Sequence, residues 1–320
     1  MAVTTYPGVL CTGNIVFDML VHPVDQLKWG ATTWVETIGL SMGGNGANTS
    51  YALARLGLPV RLLSVLGDDH FGDELLGGLR SVGVDTRGII RARGATPTTI
   101  ALIKSGGERL FLHKPGISLE AFPEPVEFTP WLTEGVSFYH LANPFALPVF
   151  RPHAAETLRR ARAAGLSTSL DAAWDSLGRW IEDLGPCLPH VDLLFVNEDE
   201  ARMLTGLSDV PEAAKALRNA GARSVVVKLG AEGCAVFSDG VELRAPAFEV
   251  EVLDTTGAGD CFAGAYLAAI QRGCPAAEAA RMANAVGALS VRRVGAVAGL
   301  LSWDETLEWI HLRDRDQELK

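Results

Sequence analysis

The amino-acid sequence predicts an α/β fold with a mainly parallel central sheet and a second, smaller β-sheet. Several short segments are apolar throughout, as expected of parallel strands that are buried on both faces. Helix-like segments lie between them, and several of these end in glycine. Two ribbon-like stretches interrupt this alternation. Repeated strand–helix–strand units favour a parallel sheet covered by helices.

The composition is that of one large globular unit. The chain has 320 residues, of which 48% are hydrophobic and 21% charged, so a substantial core can form. No low-complexity segment or interdomain linker is apparent, and a single domain over residues 1–320 is predicted. The formal net charge of −10 argues against nucleic acid as a partner.

The cysteines and the hydropathy pattern indicate the compartment. The five cysteines are scattered and show no metal-ligand spacing, which suits a reducing compartment. The start MAVTTYPGVL lacks the pattern of a signal peptide, and no apolar run is long enough to cross a bilayer. We therefore expect a soluble, cytoplasmic protein that does not associate with membranes.

The individual elements follow from these patterns. Strands are predicted at 9–15, 61–67, 136–142, 166–172, 192–198, 224–230 and 234–239. Helices are predicted at 48–57, 71–83, 153–165 and 210–221.

The two ribbons span residues 19–42 and 94–114, and KSGGER at 104–109 is a suitable hairpin turn. We expect them to form a small sheet over the open edge of the main domain. The polar end HLRDRDQELK is predicted to be a solvated C-terminus.

The stretch DTTGAGDCFAGAYLAAI at 254–270 carries the clearest chemistry. A strand ending near Leu253 is predicted to lead into a glycine turn, with a helix beginning near Cys261. The glycines allow close backbone approach, and the free N–H groups make an anion site. Asp260 beside that site suits a general base for a hydroxyl that attacks phosphorus. A simple helix cap is the alternative interpretation of this acid.

Two further motifs point to a polyhydroxylated ligand. MGGNGANTSYALARLG at 42–57 is a glycine turn into a helix, and it carries Asn45 and Asn48. Their amides can bind several hydroxyls without a change of protonation. TGNIVFD at 12–18 places Asp18 after the first strand, where its carboxylate can accept hydroxyl donors. An ordinary αβ connection and a solvated loop acid are the competing interpretations.

Two motifs suggest a nucleotide. NEDEA at 197–201 offers Asn197 and Glu200 to a hydrated magnesium, although acids also favour a helix start electrostatically. KLGAEG at 228–233 combines a strand end with a glycine turn. The chain has neither the dinucleotide fingerprint nor a P-loop, which argues against a dehydrogenase and against P-loop phosphate binding.

Together these motifs resemble the ribokinase-like sugar kinases, the PfkB family of carbohydrate kinases. The resemblance runs in order over nearly the whole chain, through GN…D, GGNGAN, GDDHFGDELLGGLRSVGVDT, NEDE, KLGAEG, DTTGAGDCFAG and ANAVGALSVRRVGA. It implies a three-layer α/β/α ribokinase-like fold whose ribbons form a lid. It also implies transfer of the γ-phosphoryl group of ATP to a sugar hydroxyl, with Mg²⁺, and a homodimer formed through the lid.

The resemblance also implies a role for each matching residue. It makes Asp260 the catalytic base and the backbone of Gly257, Ala258 and Gly259 the anion hole. Sugar-binding positions are Asp18, Gly44, Asn45 and Asn48, with Asn143 beside them. Nucleotide positions are Asn197, Lys228, Gly230, Gly233 and Asn284, and Glu200 holds Mg²⁺ through water. Asp254 and the backbone of Thr256 match a monovalent-cation site for K⁺.

Three departures leave the substrate open. Asn45 stands where ribokinases carry Lys, and Ala142 stands where they carry a substrate-contacting Glu. DAAWDSLGRW replaces the Asp-Pro-Asn-x-Arg pattern of several hexose-acid and fructose kinases. Trp29 and Trp34 can stack on a ligand or pack in a dimer. A nucleoside kinase of the same family and a catalytically silent sugar-binding protein remain alternatives.

Overall fold

The computed structural model describes residues 6–106 and 108–318 of the chain. The predicted turn KSGGER is therefore described except at Gly107, and the last two residues of the polar C-terminal stretch lie outside the described residues.

The strands and helices alternate along the chain. The strands are β1 Gly8–Thr12, β2 Val16–His22, β3 Thr37–Gly43, β4 Val60–Gly67, β5 Ile89–Ala92, β6 Thr98–Ile103, β7 Arg109–Lys114, β8 Val136–Ala142, β9 Ser167–Asp171, β10 Leu193–Asn197, β11 Ser224–Lys228, β12 Cys234–Ser238 and β13 Val241–Ala245. The helices are α1 Asn45–Arg55, α2 His70–Ser81, α3 Pro130–Thr133, α4 Ala154–Ala163, α5 Ile181–Leu184, α6 Glu198–Thr205, α7 Val210–Asn219, α8 Ala258–Gln271, α9 Ala276–Ser290 and α10 Trp303–Glu318.

The central sheet has nine strands in the order β13-β12-β11-β10-β9-β8-β1-β4-β5. Every pair from β11 to β5 is parallel, and only the pairs of β12 with β11 and β13 are antiparallel. The prediction of a mainly parallel sheet is therefore confirmed. All seven predicted strands and all four predicted helices are present, and all but β8 have shifted ends. The edge strands β5 and β13 were not predicted.

Helices cover both faces of this sheet, which gives the predicted three layers. Successive residues of one strand point to opposite faces, so an all-apolar strand contributes to two cores. In β1, Val9 and Cys11 belong to the core shared with α1, α8 and α9, while Leu10 belongs to the core shared with α4 and α7. All three side chains are fully buried.

The two predicted ribbons form one four-stranded sheet, in the order β3-β2-β6-β7. Strands β2 and β6 join the ribbons by a parallel pairing, while β2 with β3 and β6 with β7 are antiparallel. We call this sheet the lid. The first ribbon begins at Val16 rather than at residue 19, because β1 ends at Thr12 and Val16 already pairs with Gly43 of β3.

Two predictions about the DTTGAGD stretch were wrong. No strand ends near Leu253, since β13 ends at Ala245 and residues 246–253 run to the turn outside any sheet. Helix α8 begins at Ala258 rather than near Cys261, because Gly257 adopts a left-handed conformation and caps it. Asp260 therefore lies inside the first helical turn. The polar C-terminal stretch is helical as far as Glu318.

Membrane insertion was assessed from helix length and hydropathy. Over the described ranges, no helix is both long enough and apolar enough to span a bilayer.

We predict that Leu10→Ala lowers the free energy of unfolding by about 2–5 kcal/mol, because it leaves a cavity in the central strand β1. Urea unfolding followed by circular dichroism measures this change. The matched control is Leu312→Ala in α10, where the leucine is 45% exposed and the expected loss is below about 1 kcal/mol. Equal losses in both variants would contradict the central placement of Leu10.

Candidate active site

The parallel strands bring polar residues together at one edge of the central sheet. Parallel strands of a sheet end at the same edge, which is where ligands bind in open α/β sheets. Asp171, Asn197 and Lys228 are the last residues of β9, β10 and β11, and Asn143 directly follows β8. Asn14 follows β1 by two residues. The sheet order therefore places side chains from distant parts of the sequence side by side.

The carboxylate of Asp260 is held by the amides of α1. Asn45 Nδ2 donates to Asp260 Oδ1 at 2.7 Å, and Asn48 Nδ2 donates to Asp260 Oδ2 at 2.9 Å. Asp260 is only 6% exposed. The two asparagines and the predicted base thus meet as one unit, although they are more than 200 residues apart in the sequence.

Asn45 is itself fixed from two other strand ends. Its backbone N–H donates to Asn14 Oδ1 at 3.0 Å, and its Oδ1 accepts from Asn143 Nδ2 at 2.8 Å. Asn143 has a left-handed backbone conformation that aims its amide at Asn45. Gly44 has φ +90°, and a Cβ there would lie 2.6 Å from Asn14 O, so only glycine fits. These contacts fix the amide that orients Asp260.

The first turn of α8 presents free backbone N–H groups. The first N–H groups of an α-helix have no acceptor within the helix, and they attract anions together with the helix dipole. Among the described residues, Ala258 N–H reaches Thr255 O at 3.3 Å, whereas no backbone acceptor is found for Gly259 or Asp260. Gly257 has φ +70°, and a Cβ there would lie 2.5 Å from that of Ala296. The N–H groups of Gly259 and Asp260 are thus available to a ligand, whereas that of Ala258, one of the predicted anion-hole groups, already donates to Thr255.

A buried cation lies against this turn. Lys228 Nζ contacts Asp171 Oδ1 at 2.8 Å and Oδ2 at 3.0 Å. A Cβ at Gly259 would lie 3.2 Å from the same Nζ, so the ammonium group borders the start of α8. Burial alone lowers the pKa of Lys228, but the carboxylates of Asp171, Glu200 and Asp260 raise it on balance. Lys228 therefore stays positively charged.

Asn197 and Glu200 form a capping box at the start of α6. Asn197 Oδ1 accepts from Glu200 N–H at 2.8 Å, and Glu200 Oε2 accepts from Asn197 N–H at 2.7 Å. Burial raises the pKa of Glu200, and the nearby Asp171 carboxylate adds to that effect. No cluster of three or more His, Cys, Asp or Glu that could hold a metal occurs in the part of the chain that the structure describes. Direct coordination by several protein side chains is thus not supported, whereas a mostly hydrated Mg²⁺ fits.

The protonation of Asp260 is finely balanced. Burial raises the pKa of Asp260 to about 6, and the Asp171 carboxylate contributes to the increase. The hydrogen bonds from Asn48 and Asn45 and the charge of Lys228 act in the opposite direction. A carboxylate with a pKa near 6 is ionised at neutral pH and is a stronger base than a solvated aspartate.

Asp18 lies on the lid, in the middle of β2. It pairs across the sheet with Ser41 of β3 and with Thr99 of β6. Burial raises the pKa of Asp18 to about 7, and the charge of Asp254 adds to that effect. The lid therefore presents a carboxylate to the region between itself and the main domain.

Asp254 and Thr256, predicted to bind a monovalent cation, contact an arginine of the lid. Arg109 Nη1 lies 2.8 Å from Asp254 Oδ1 and donates to Thr256 Oγ1 at 2.9 Å. Asp254 also accepts from the N–H groups of Thr256 and Gly295, at 2.8 Å and 2.9 Å. Burial opposes ionisation of Asp254, but these hydrogen bonds and Arg109 lower its pKa overall.

A cleft of about 700 Å³ adjoins the start of α8. Lys228 and Gly259 lie at its end, and its walls are mainly apolar. Four of the residues predicted for the nucleotide line it, namely Lys228, Gly230, Gly233 and Asn284. Asn284 donates to the carbonyls of Ala245 and Pro246, which fixes its side chain in the wall.

Three residues of this site were not predicted. Asp171 ends a predicted strand at the same sheet edge as Asn197, so the rule that singled out Asn197 could have found it. Asn14 lies within the GN…D motif, but no local signal connects it with Asn45. Arg109 has no local signal at all, because its partner Thr256 is 147 residues away.

Sequence comparison identifies similar proteins over most of the chain. The profile of the pfkB family carbohydrate kinases matches residues 8–303. Fructokinase-1 of Zea mays is 30% identical over 84% of this chain and 88% of its own length. Fructokinase-1 of Oryza sativa subsp. japonica is 30% identical over 83% of this chain and 87% of its own length.

Solved structures share the fold. Ribokinase from Thermotoga maritima superposes with a TM-score of 0.81 and 25% identity, covering 96% of this chain and 100% of its own. Ribokinase from Arabidopsis thaliana, complexed with ribose and ATP, superposes with a TM-score of 0.82 and 24% identity, covering 95% and 98%. The three-layer ribokinase-like fold with a small second sheet is thereby confirmed.

The hydrogen bonds to Asp260 predict a specific pH dependence. A base with a pKa of about 6 is protonated below that pH, so turnover should fall as the pH drops through 6. Asn45→Ala removes one donor to the carboxylate, and we expect the acid limb of the turnover–pH profile to move up by roughly one pH unit. The profile is measured at saturating substrate. The matched control Asn219→Ala, on the exposed end of α7, should leave the limb unmoved. An unshifted limb in Asn45→Ala would contradict the role of this amide.

Proposed function

Because the chain belongs to the pfkB family of carbohydrate kinases, which transfer phosphate from ATP to a sugar, we propose that the Asp260 site is where this transfer occurs. The observation that carries the proposal is the position of the buried Asp260 carboxylate. It lies in the first turn of α8, beside free N–H groups and the Lys228 ammonium. A base and an anion site in contact are what phosphoryl transfer to a hydroxyl requires.

The proposed mechanism is an in-line transfer. Asp260 accepts the proton of the attacking sugar hydroxyl, and Asn45 and Asn48 hold its carboxylate in position. The N–H groups of the turn at Gly257, Ala258 and Gly259 bind the oxygens of the transferring phosphoryl group. Lys228 adds positive charge on the same side, which opposes the charge of the anionic group. Closure of the lid over the sugar excludes water.

ATP is proposed to occupy the apolar cleft that ends at Lys228 and Gly259. The wall residues Gly230, Gly233 and Asn284 support this placement, because the family resemblance assigns all three to the nucleotide. Glu200 and Asn197 are proposed to hold hydrated Mg²⁺ beside the phosphates. Bound Mg²⁺ neutralises phosphate charge during transfer.

The sugar is proposed to lie between Asp260 and the lid. Asn48 Oδ1 is buried and has no hydrogen-bond partner among the described residues, so it can accept from a sugar hydroxyl. Asp18 can accept from further hydroxyls, with Gly44 and Asn143 shaping the pocket. Fructose is the first substrate to test, because relatives that are 30% identical are named fructokinases.

A homodimer formed through the lid is proposed from the two faces of that sheet. The strand register places eight apolar side chains of the lid on the face opposite Asp18, in two rows of four. These rows are Leu40–Met19–Ile100–Leu112 and Ile38–Val21–Leu102–Leu110. Leu40, Ile38, Leu112 and Leu110 are each more than half exposed. Such a face favours burial against a second copy.

Trp29 and Trp34 lie between the strands of the first ribbon and are almost fully exposed. We propose that both tryptophans are buried with the apolar face in the dimer interface, because aromatic side chains are enriched in protein interfaces.

A cytoplasmic location is also proposed. All five cysteines are free thiols in the structure, and four of them are buried. Unpaired cysteines suit a reducing compartment.

The base assignment predicts the behaviour of Asp260→Asn. An assay of ADP release over pentoses, hexoses, keto acids and nucleosides first identifies the acceptor. With that acceptor, Asp260→Asn should lower kcat by about 10³-fold or more, since the amide cannot accept the proton. The affinity for ATP, measured by calorimetry, should change by less than about threefold.

The matched control is Asp304→Asn, an exposed acid in the first turn of α10. It should leave kcat unchanged. Near-normal turnover of Asp260→Asn would contradict the assignment of Asp260 as the general base. ATP consumption with nucleosides but with no free sugar would favour a nucleoside kinase, and no consumption with any ligand that stabilises the protein would favour a silent sugar-binding protein.

The dimer proposal predicts the effect of charge on the lid face. Leu40→Glu combined with Leu112→Glu should convert the dimer to a monomer, because two carboxylates per subunit would lose their solvation at the interface. Analytical ultracentrifugation measures the mass. The control Leu312→Glu, an exposed leucine on α10, should leave the dimer intact. A wild-type monomer at micromolar concentration would refute the proposal.

A further inference from the structure

We propose that the Arg109 guanidinium takes the place of the monovalent cation expected at Asp254 and Thr256, and that Arg109 is a positioning residue for the phosphoryl-transfer turn. The inference rests on the proposed function, because it assigns this role relative to the α8 turn. It concerns a lid residue that neither the motifs nor the family comparison singled out.

The contacts of Arg109 are those of a bound cation. A single nitrogen, Nη1, contacts both Asp254 Oδ1 at 2.8 Å and Thr256 Oγ1 at 2.9 Å. The Asp254 side chain is 2% exposed and that of Arg109 is 18% exposed. A buried carboxylate requires a compensating positive charge, and the guanidinium provides it.

The remaining oxygen of Asp254 does not offer a free site. Gly295 N–H donates to Oδ2 at 2.9 Å, and Thr256 N–H donates to Oδ1 at 2.8 Å beside Arg109. Both carboxylate oxygens are therefore engaged, and one already contacts a full positive charge. A monovalent cation at this carboxylate would have to displace Arg109 or lie next to it, where like charges repel. The donor set does not fit K⁺ while the lid arginine is in place.

The lid reaches this point from two of its strands. Arg109 begins β7 and points to the same face of the lid as Asp18, by the strand register. On β3, Ser41 packs against Gly295, where a Cβ would lie 2.9 Å from Ser41 Oγ. Thr256 directly precedes Gly257, which caps the start of α8, and Asp254 lies two residues before Thr256. Arg109 thus connects the lid to the chain segment that sets the start of the anion hole.

The test compares wild type, Arg109→Ala and Arg109→Lys in buffers whose only monovalent cation is either K⁺ or tetramethylammonium. Wild-type kcat should agree within about twofold between the two buffers. Arg109→Ala should lose about 10- to 100-fold in kcat without K⁺, because Asp254 is left unpaired, and should recover part of that loss with K⁺. The kcat of Arg109→Lys, which keeps the positive charge, should lie between those of wild type and Arg109→Ala.

Thermal unfolding gives a readout that does not depend on turnover. The Tm of Arg109→Ala should rise with K⁺ concentration, since a cation that binds only the folded state stabilises it, while the wild-type Tm should not respond. The control is Lys104→Ala in the same hairpin. Its exposed lysine pairs with Glu108, and this variant should match wild type in both buffers.

Three results would overturn the inference: a wild-type enzyme that needs K⁺, a wild-type Tm that rises specifically with K⁺, or an Arg109→Ala variant equal to wild type without K⁺. If Arg109→Ala does not fold, the inference is decided by whether the kcat and Tm of wild type differ between the K⁺ and tetramethylammonium buffers. If wild type phosphorylates no sugar, the proposed function fails, and the K⁺ dependence of Tm still decides the inference.

Discussion

The burial of the Asp260 carboxylate is the constraint on which the rest of the site depends. A charge removed from water must be hydrogen-bonded or paired, and Asp260 receives two amide donors from α1 and faces the Lys228 ammonium. This requirement explains why the starts of α1 and α8 pack together. Gly257 leaves room for the Asn48 amide beside the carboxylate, since a Cβ there would lie 3.0 Å from Asn48 Nδ2. The glycine turn before α8 and the start of α1 therefore form one site.

The parallel sheet also brings buried groups of opposite charge together beside Asp260. Lys228 stands at the end of β11 and pairs with Asp171 at the end of the second strand along, β9, while Glu200 follows from β10 between them. The carboxylates of Asp171, Glu200 and Asp260 keep Lys228 protonated. Burial raises the pKa of Asp260, and the charge of Asp171 adds to that effect. The charge of Lys228 opposes that rise in the pKa of Asp260.

The lid has two chemically different faces because side chains alternate along a strand. One face carries Asp18 and Arg109 toward the main domain, and the other carries two apolar rows outward. The inner face thus contributes to the site, while the outer face is available for association. Through Arg109 and Ser41, the lid also contacts the segment around Asp254 that leads into α8. The sheet is therefore bound to the site at its inner face rather than merely resting over it.

Local sequence was sufficient for much of this protein. Strand β8 agrees with its predicted bounds, and Asp260, Asn45 and Asn48 were identified from motifs because apolar runs and glycine turns are local signals. The start of α8 was misplaced because the left-handed Gly257 is fixed by its neighbours Ala296 and Asn48, which are distant in sequence. The Lys228–Asp171 pair and the contact of Arg109 with Asp254 could not be predicted. Only the sheet order and the docking of the lid bring those side chains together, and a local pattern carries no information about such distances.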